Sequence, residues 1–240
     1  MSQIRLCINR CQISCGKIIE LSKEERKYLF NVLRLKQGDT LSIFDGKGRS
    51  FHAKIIDLKN IEVLREEKFF IEEPFSIILC QALLKGEKMD LVIEKATELG
   101  VKKIIPFVSS RCIVKNTRKV ERWIKIAKEA SEQSLRIIVP DIEEVTNFQD
   151  LIKIIDNGVL FWEKSTTPLV QSISDLNHDK NIYLLVGPEG GFTQEEVTMT
   201  EKRNIKIASL GKRILKAETA SIVSVALVSF LLQSNLSSLK

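Results

Sequence analysis

A chain of 240 residues is long for one domain and short for two large ones. With 44% hydrophobic and 28% charged residues its composition is that of a globular protein with a full core, not of a disordered or fibrous chain. The net charge is +6, and residues 1–60 hold twelve Lys/Arg against six Asp/Glu, which equals the whole excess. A basic first quarter points to a polyanionic partner, most simply nucleic acid, with a solubilising surface as the equal alternative. Five cysteines imply no disulfide framework, and the N-terminus carries no charged-then-apolar signal segment. The expectation is a cytoplasmic protein with reduced thiols.

In chain order, "QIRLCINR" and "TLSIFDGKGRSFHAKIIDL" read as strands, with "DGKG" at 45–48 as a hairpin turn. Between them a helix is predicted from a Ser22 cap to Gly38. "REEKFFIEEP" leads to Pro74 as a linker. The rhythm then changes: "SIILCQALL", "IIPFV", "GVLFWE", "NIYLLV" and "IKIASL" are apolar strands separated by helices. Met89, Val92, Ile93, Ala96 and Leu99 share one helical face, and Val120, Trp123, Ile124, Ala127 and Ala130 another. Strands apolar throughout and alternating with helices predict a parallel sheet covered on both faces. The expected architecture is a small β-rich domain over 1–72 and an α/β domain over 73–240. Thr219–Leu239 is uncharged and about as long as a membrane span, but Ser221, Ser224, Ser229, Gln233, Ser234 and Asn235 interrupt it. A buried helix, or one against a partner subunit, is the better reading.

Two segments carry the chemistry. "LLVGPEGGFTQEE" (184–196) ends an apolar strand in a glycine turn, and Thr193 with Glu196 has the spacing of a capping box for the helix that follows. The turn is neither GxGxxG nor a P-loop. Glycine lets backbone approach a flat ligand, while Glu189 disfavours phosphate and tolerates a cation. "LGKRILKAETA" (210–220) also follows a strand, with Gly211 for close approach and Arg213, Lys216 and Glu218 for charge. Cys7, Cys11 and Cys15 make a C-x3-C-x3-C decoy, and His52 and His178 are too few for a triad or a metal site.

The pair of segments resembles the signature of the RsmE family, SPOUT-superfamily methyltransferases acting on N3 of a uridine in small-subunit ribosomal RNA. "EKATELGVKKIIPFVSSRC", "EASEQSLRIIVPDI", "VLRLKQGD" and "FDGKG" resemble its other blocks, so the likeness runs through nearly the whole chain. It departs where Leu135 stands at a place usually held by glycine, Tyr28 near a common histidine, and Lys216 at a common arginine. The resemblance implies a PUA-like RNA-binding domain, then a SPOUT-type α/β domain with a mostly parallel sheet and a C-terminal trefoil knot. It also implies a homodimer that uses the last helix, S-adenosylmethionine as cofactor, and 16S ribosomal RNA in the small ribosomal subunit as partner.

On that basis Gly187, Pro188, Glu189, Gly190 and Gly191 are expected to hold the cofactor together with Leu210, Gly211, Ile214 and Leu215. Glu163, closing "LFWE", is a candidate for the methionine ammonium, with a plain loop acid as the equal alternative. Arg213 is the first candidate for stabilising the developing uridine anion and Arg136 the second, with Glu218 orienting Arg213. Arg5, Arg10, Lys17, Arg34 and Arg49 are candidates for phosphate contact. The alternatives are a non-catalytic RNA-binding assembly factor and a SPOUT enzyme with another RNA target.

Overall fold

Mostly buried strands, interrupted by Asp- and Gly-built turns, set up the first sheet. The structure is a computed structural model that describes residues 4–9, 11–68 and 72–237; the expected phosphate contact Arg10 lies outside the described residues. Two compact units are present: one takes in residues 1–72 and Ser131–Val139, the other Glu73–Ala130 and Pro140–Lys240.

In the first unit, β1 (Arg5–Cys7) pairs in parallel with β3 (Thr40–Phe44), and β2 (Ile18–Glu20) lies at the other edge of a five-stranded sheet. β4 (Ser50–Ile55) and β5 (Asn60–Glu67) complete it in the order β1-β3-β4-β5-β2. The predicted hairpin turn forms: Asp45 Oδ1 accepts from the Lys47 and Arg49 N–H groups, and Gly46 and Gly48 have φ of 74° and 112°. Ser22 caps α1 (Lys23–Arg26) with Glu25 in a reciprocal box.

Two expectations fail here. The helix does not reach Gly38: it widens into a π-helical turn over Lys27–Val32 and stops where Arg34 turns to φ 57°. Arg65–Glu67 are not linker, because their backbone pairs with Ser50–His52 while Glu66 and Glu67 find Arg49 and Ser42 outside the ladder. Charge patterning hid a strand whose stability comes from pairing.

Ser131–Val139 complete this unit. Cys7 N–H donates to Glu132, Val139 N–H to the Gly46 carbonyl, and Ile137 packs on buried Cys7 and Phe44. Leu135, standing where the resemblance expects glycine, has φ 64° and is 42% exposed.

In the second unit every strand pairing is parallel. β6 (Ser76–Ala82) leads through α2 (Lys88–Glu98) to β7 (Lys103–Val108). α3 (Val120–Gln133) precedes the short β8 (Asp141–Ile142) and β9 (Thr146–Asn147), both on β7. α4 (Phe148–Lys153), β10 (Gly158–Phe161), α5 (Leu169–Ser174), β11 (Asn181–Val186), α6 (Gln194–Glu201), β12 (Lys206–Ala208) and α7 (Ala217–Ser237) follow. The order is β12-β10-β11-β6-β7-β8, with β9 beside β8 on β7. α7 is long and apolar enough to cross a membrane. It lies against α2, β6 and β11, burying Ser221, Ser224, Val225, Val228 and Leu232 and leaving Phe230 exposed.

Candidate active site

Parallel pairing brings three strand ends to one edge. Phe161, the last residue of β10, is in register with Val186 of β11 on one side and with Ala208 of β12 on the other. The turns after them, together with Lys88 from α2, line a cleft of about 540 Å³. This is where open parallel sheets hold ligands. Glu163, Gly187, Pro188, Glu189, Gly190, Gly191, Leu210, Gly211, Arg213, Ile214 and Leu215 all line it. The structure thus brings both signature segments into one site.

Each turn is held by a specific device. The Thr193–Glu196 capping box forms as predicted: Thr193 Oγ1 accepts from Glu196 N–H, and Glu196 Oε2 from Thr193 N–H. The same buried carboxylate accepts from Ser110 N–H at 2.8 Å. Arg111 Nη1 donates to the carbonyls of Gly190 (3.0 Å) and Phe192 (3.3 Å), fastening the turn from outside. Gly191 has φ 68°, and a Cβ there would stand 3.1 Å from both oxygens of Glu163. Ser209 Oγ accepts from Gly211 N–H and fixes the second turn.

Glu189 answers a different need from the one its charge suggested. Its Oε1 accepts from Lys85 N–H and from the Lys88 ammonium, both at 3.1 Å, so the acid ties the turn to the start of α2. Burial pushes its carboxyl up, but these donors and the N–H of Glu189 itself prevail and leave it below the usual carboxylate range. Lys88 also stands 3.6 Å from Glu218, whose Oε2 is buried and makes no hydrogen bond among the described residues. Glu189 and Glu218 thus share one lysine beside the turn.

Family models match as an RNA methyltransferase domain over 71–229 and an RNA methyltransferase PUA domain over 21–64. Ribosomal RNA small subunit methyltransferase E of Rickettsia conorii is 36% identical, over 96% of this chain and 97% of that protein. The chain belongs to the ribosomal RNA small subunit methyltransferase E family. The Bacillus subtilis member is 31% identical over 93% of this chain and 94% of its own. A crystal structure of the Neisseria gonorrhoeae member bound to S-adenosyl methionine superposes with a TM-score of 0.87 at 30% identity, covering 95% of this chain and 98% of that one. The SPOUT-type architecture expected from the resemblance, a mostly parallel sheet preceded by a PUA domain, is the architecture of this member of the E family.

Other expected site residues fare differently. Arg136 belongs to the first unit and is not among the residues lining the cleft: it is 3% exposed and holds Glu72 through two bonds of 3.2 and 3.0 Å. Arg5 is also 3% exposed, with its guanidinium 4.8 Å from the Phe44 ring centroid, and cannot present itself to a phosphate. Arg49 is exposed but bidentate to Glu66 at 2.9 Å. Lys17 and Arg34 are exposed. Glu163 and Arg213 are exposed residues that line the cleft.

Sequence reasoning missed Lys88, Arg111, Trp162 and Ser209. Lys88 and Arg111 had a readable signal, since each follows a predicted apolar strand end by a few residues.

Proposed function

We propose that this protein transfers the methyl group of S-adenosylmethionine to N3 of a specific uridine in 16S ribosomal RNA of the small ribosomal subunit, in the cytoplasm. The observation that carries the reading is a single cleft shared by both glycine turns, with Lys88, Glu163 and Glu189 in its lining and, beside Lys88, a buried Glu218 oxygen that makes no hydrogen bond among the described residues. Such orphaned atoms are rare in folded proteins and fit a site completed by a ligand. A volume of about 540 Å³ suits a nucleoside with an amino-acid arm.

When bound, the donor supplies an electrophilic methyl group on a sulfonium. The chain's part is to hold and orient. Glycine backbone at 187, 190, 191 and 211 admits the donor closely, and Glu163 takes its ammonium. Arg213 stands exposed at the cleft, where a cation stabilises the anion formed as uridine N3 gives up its proton. Glu218 orients that arginine or accepts a hydrogen bond. The first unit, with Lys17 and Arg34 exposed, holds the RNA backbone. The segment after β12 is taken to thread the family's trefoil knot, and α7 to pair two protomers.

The test is direct. Purified protein, labelled donor and small subunits lacking the modification are incubated, and the digested RNA is read by mass spectrometry. Labelled 3-methyluridine is expected, and R213A should lose it by about a hundredfold or more, as for removal of one charge-stabilising donor. A different labelled nucleoside overturns the target. A protein that binds donor and RNA without labelling either is a binding factor.

A further inference from the structure

The chain has two tryptophans, and their indole N–H groups differ. Trp123 is fully buried and donates to Asp90 Oδ1 at 3.1 Å. Trp162 lines the cleft, its Nε1 is buried, and it makes no hydrogen bond among the described residues. Its backbone is fixed, with N–H donating to the Ala208 carbonyl and its own carbonyl accepting from Ser165. An N–H so placed, shielded from water and unmatched, is costly unless a ligand supplies the acceptor. The charge nearby says which kind of acceptor. The Lys164 ammonium lies 5.9 Å from the centroid of the Trp162 ring, and a positive field beside an N–H donor favours an anionic oxygen over a neutral one. The next residue along, Glu163, carries the opposite charge and sits against Gly191 in the same cleft.

Resting on the cofactor reading above, we propose that the Trp162 indole N–H, with Lys164 beside it, receives the carboxylate of the donor's amino-acid arm, while Glu163 takes the ammonium. The strand end Phe161–Lys164 is then a zwitterion reader. It distinguishes the intact donor from the same sulfonium without its carboxylate.

The test measures binding by calorimetry and tryptophan emission, with S-adenosylmethionine and its decarboxylated analogue as probes. Wild type should prefer the intact donor by about tenfold, the worth of one charge-assisted hydrogen bond. W162F should bind the intact donor about tenfold more weakly and the decarboxylated one as wild type does, and Trp123, left alone, should show no ligand-induced emission change. K164Q, an exposed change, should cut the same preference by about threefold, and it decides the matter if W162F melts early. The assignment is overturned if W162F and wild type bind the intact donor within about twofold, or if both probes weaken alike. Failure of wild type to bind either probe overturns the cofactor reading itself and is read separately.

Discussion

Gly191 shows how one backbone angle fixes a site. At φ 68° an L side chain is strained, and a methyl group there would press on both Glu163 oxygens. G191A should cost about 1–2 kcal/mol in thermal or urea unfolding, and it should also weaken donor binding by turning Glu163 away. If G191A melts and binds as wild type does, the turn is not the cradle described. Leu135 is the converse case, since it holds φ 64° where glycine would rest without strain. L135G should stabilise the protein by up to about 1 kcal/mol, because relief of the left-handed strain exceeds the extra chain entropy of glycine. The departure at 135 was legible in the sequence, but its angle was not, because nothing local forces leucine into that region. The buried arginines were illegible for a related reason. Arg5 and Arg136 look like any surface cation until Phe44 and Glu72, far along the chain, are folded against them.

The turn 187–191 and the start of α2 form one fastened element through Glu189, and this tie has a pH signature. The carboxyl is depressed on folding, so its contribution is present above the unfolded carboxylate value and is lost as pH falls through the folded one. Lys88 is raised, chiefly by its hydrogen bond to Glu189, so its share persists until pH climbs through the folded ammonium value. Thermal melts should therefore place E189Q below wild type at neutral pH and level with it near pH 2–3, under the ordinary carboxylate range. A constant gap between the two would mean that Glu189 acts through shape alone. Elements defined by apolar runs and caps were readable: the strands flanking both signature segments, the Thr193–Glu196 box and the Ser22 start all form. Elements that depend on partners were not. β2 and the Arg65–Glu67 end of β5 are strands because neighbours pair with them, and a polar segment carries no periodic sign of that.

If two protomers meet along α7, exposed Phe230 (63%) is the residue to charge. F230E should move the protein to monomer in sedimentation, whereas an unchanged mass would place the interface elsewhere. The order of the chain was read as one boundary near residue 72, yet the first unit closes only with Ser131–Val139. Residues 131–139 supply the Glu132 acceptor for Cys7, the Ile137 cover over Phe44 and the guanidinium that neutralises Glu72. A fragment cut after Glu72 would therefore lack a patch of its own interior, and it should give a broadened, poorly dispersed amide spectrum. Ribosomal synthesis meets the same constraint: the N-terminal unit stays unfinished until more than half of the polypeptide has emerged, so it cannot mature far ahead of the unit that carries the cleft.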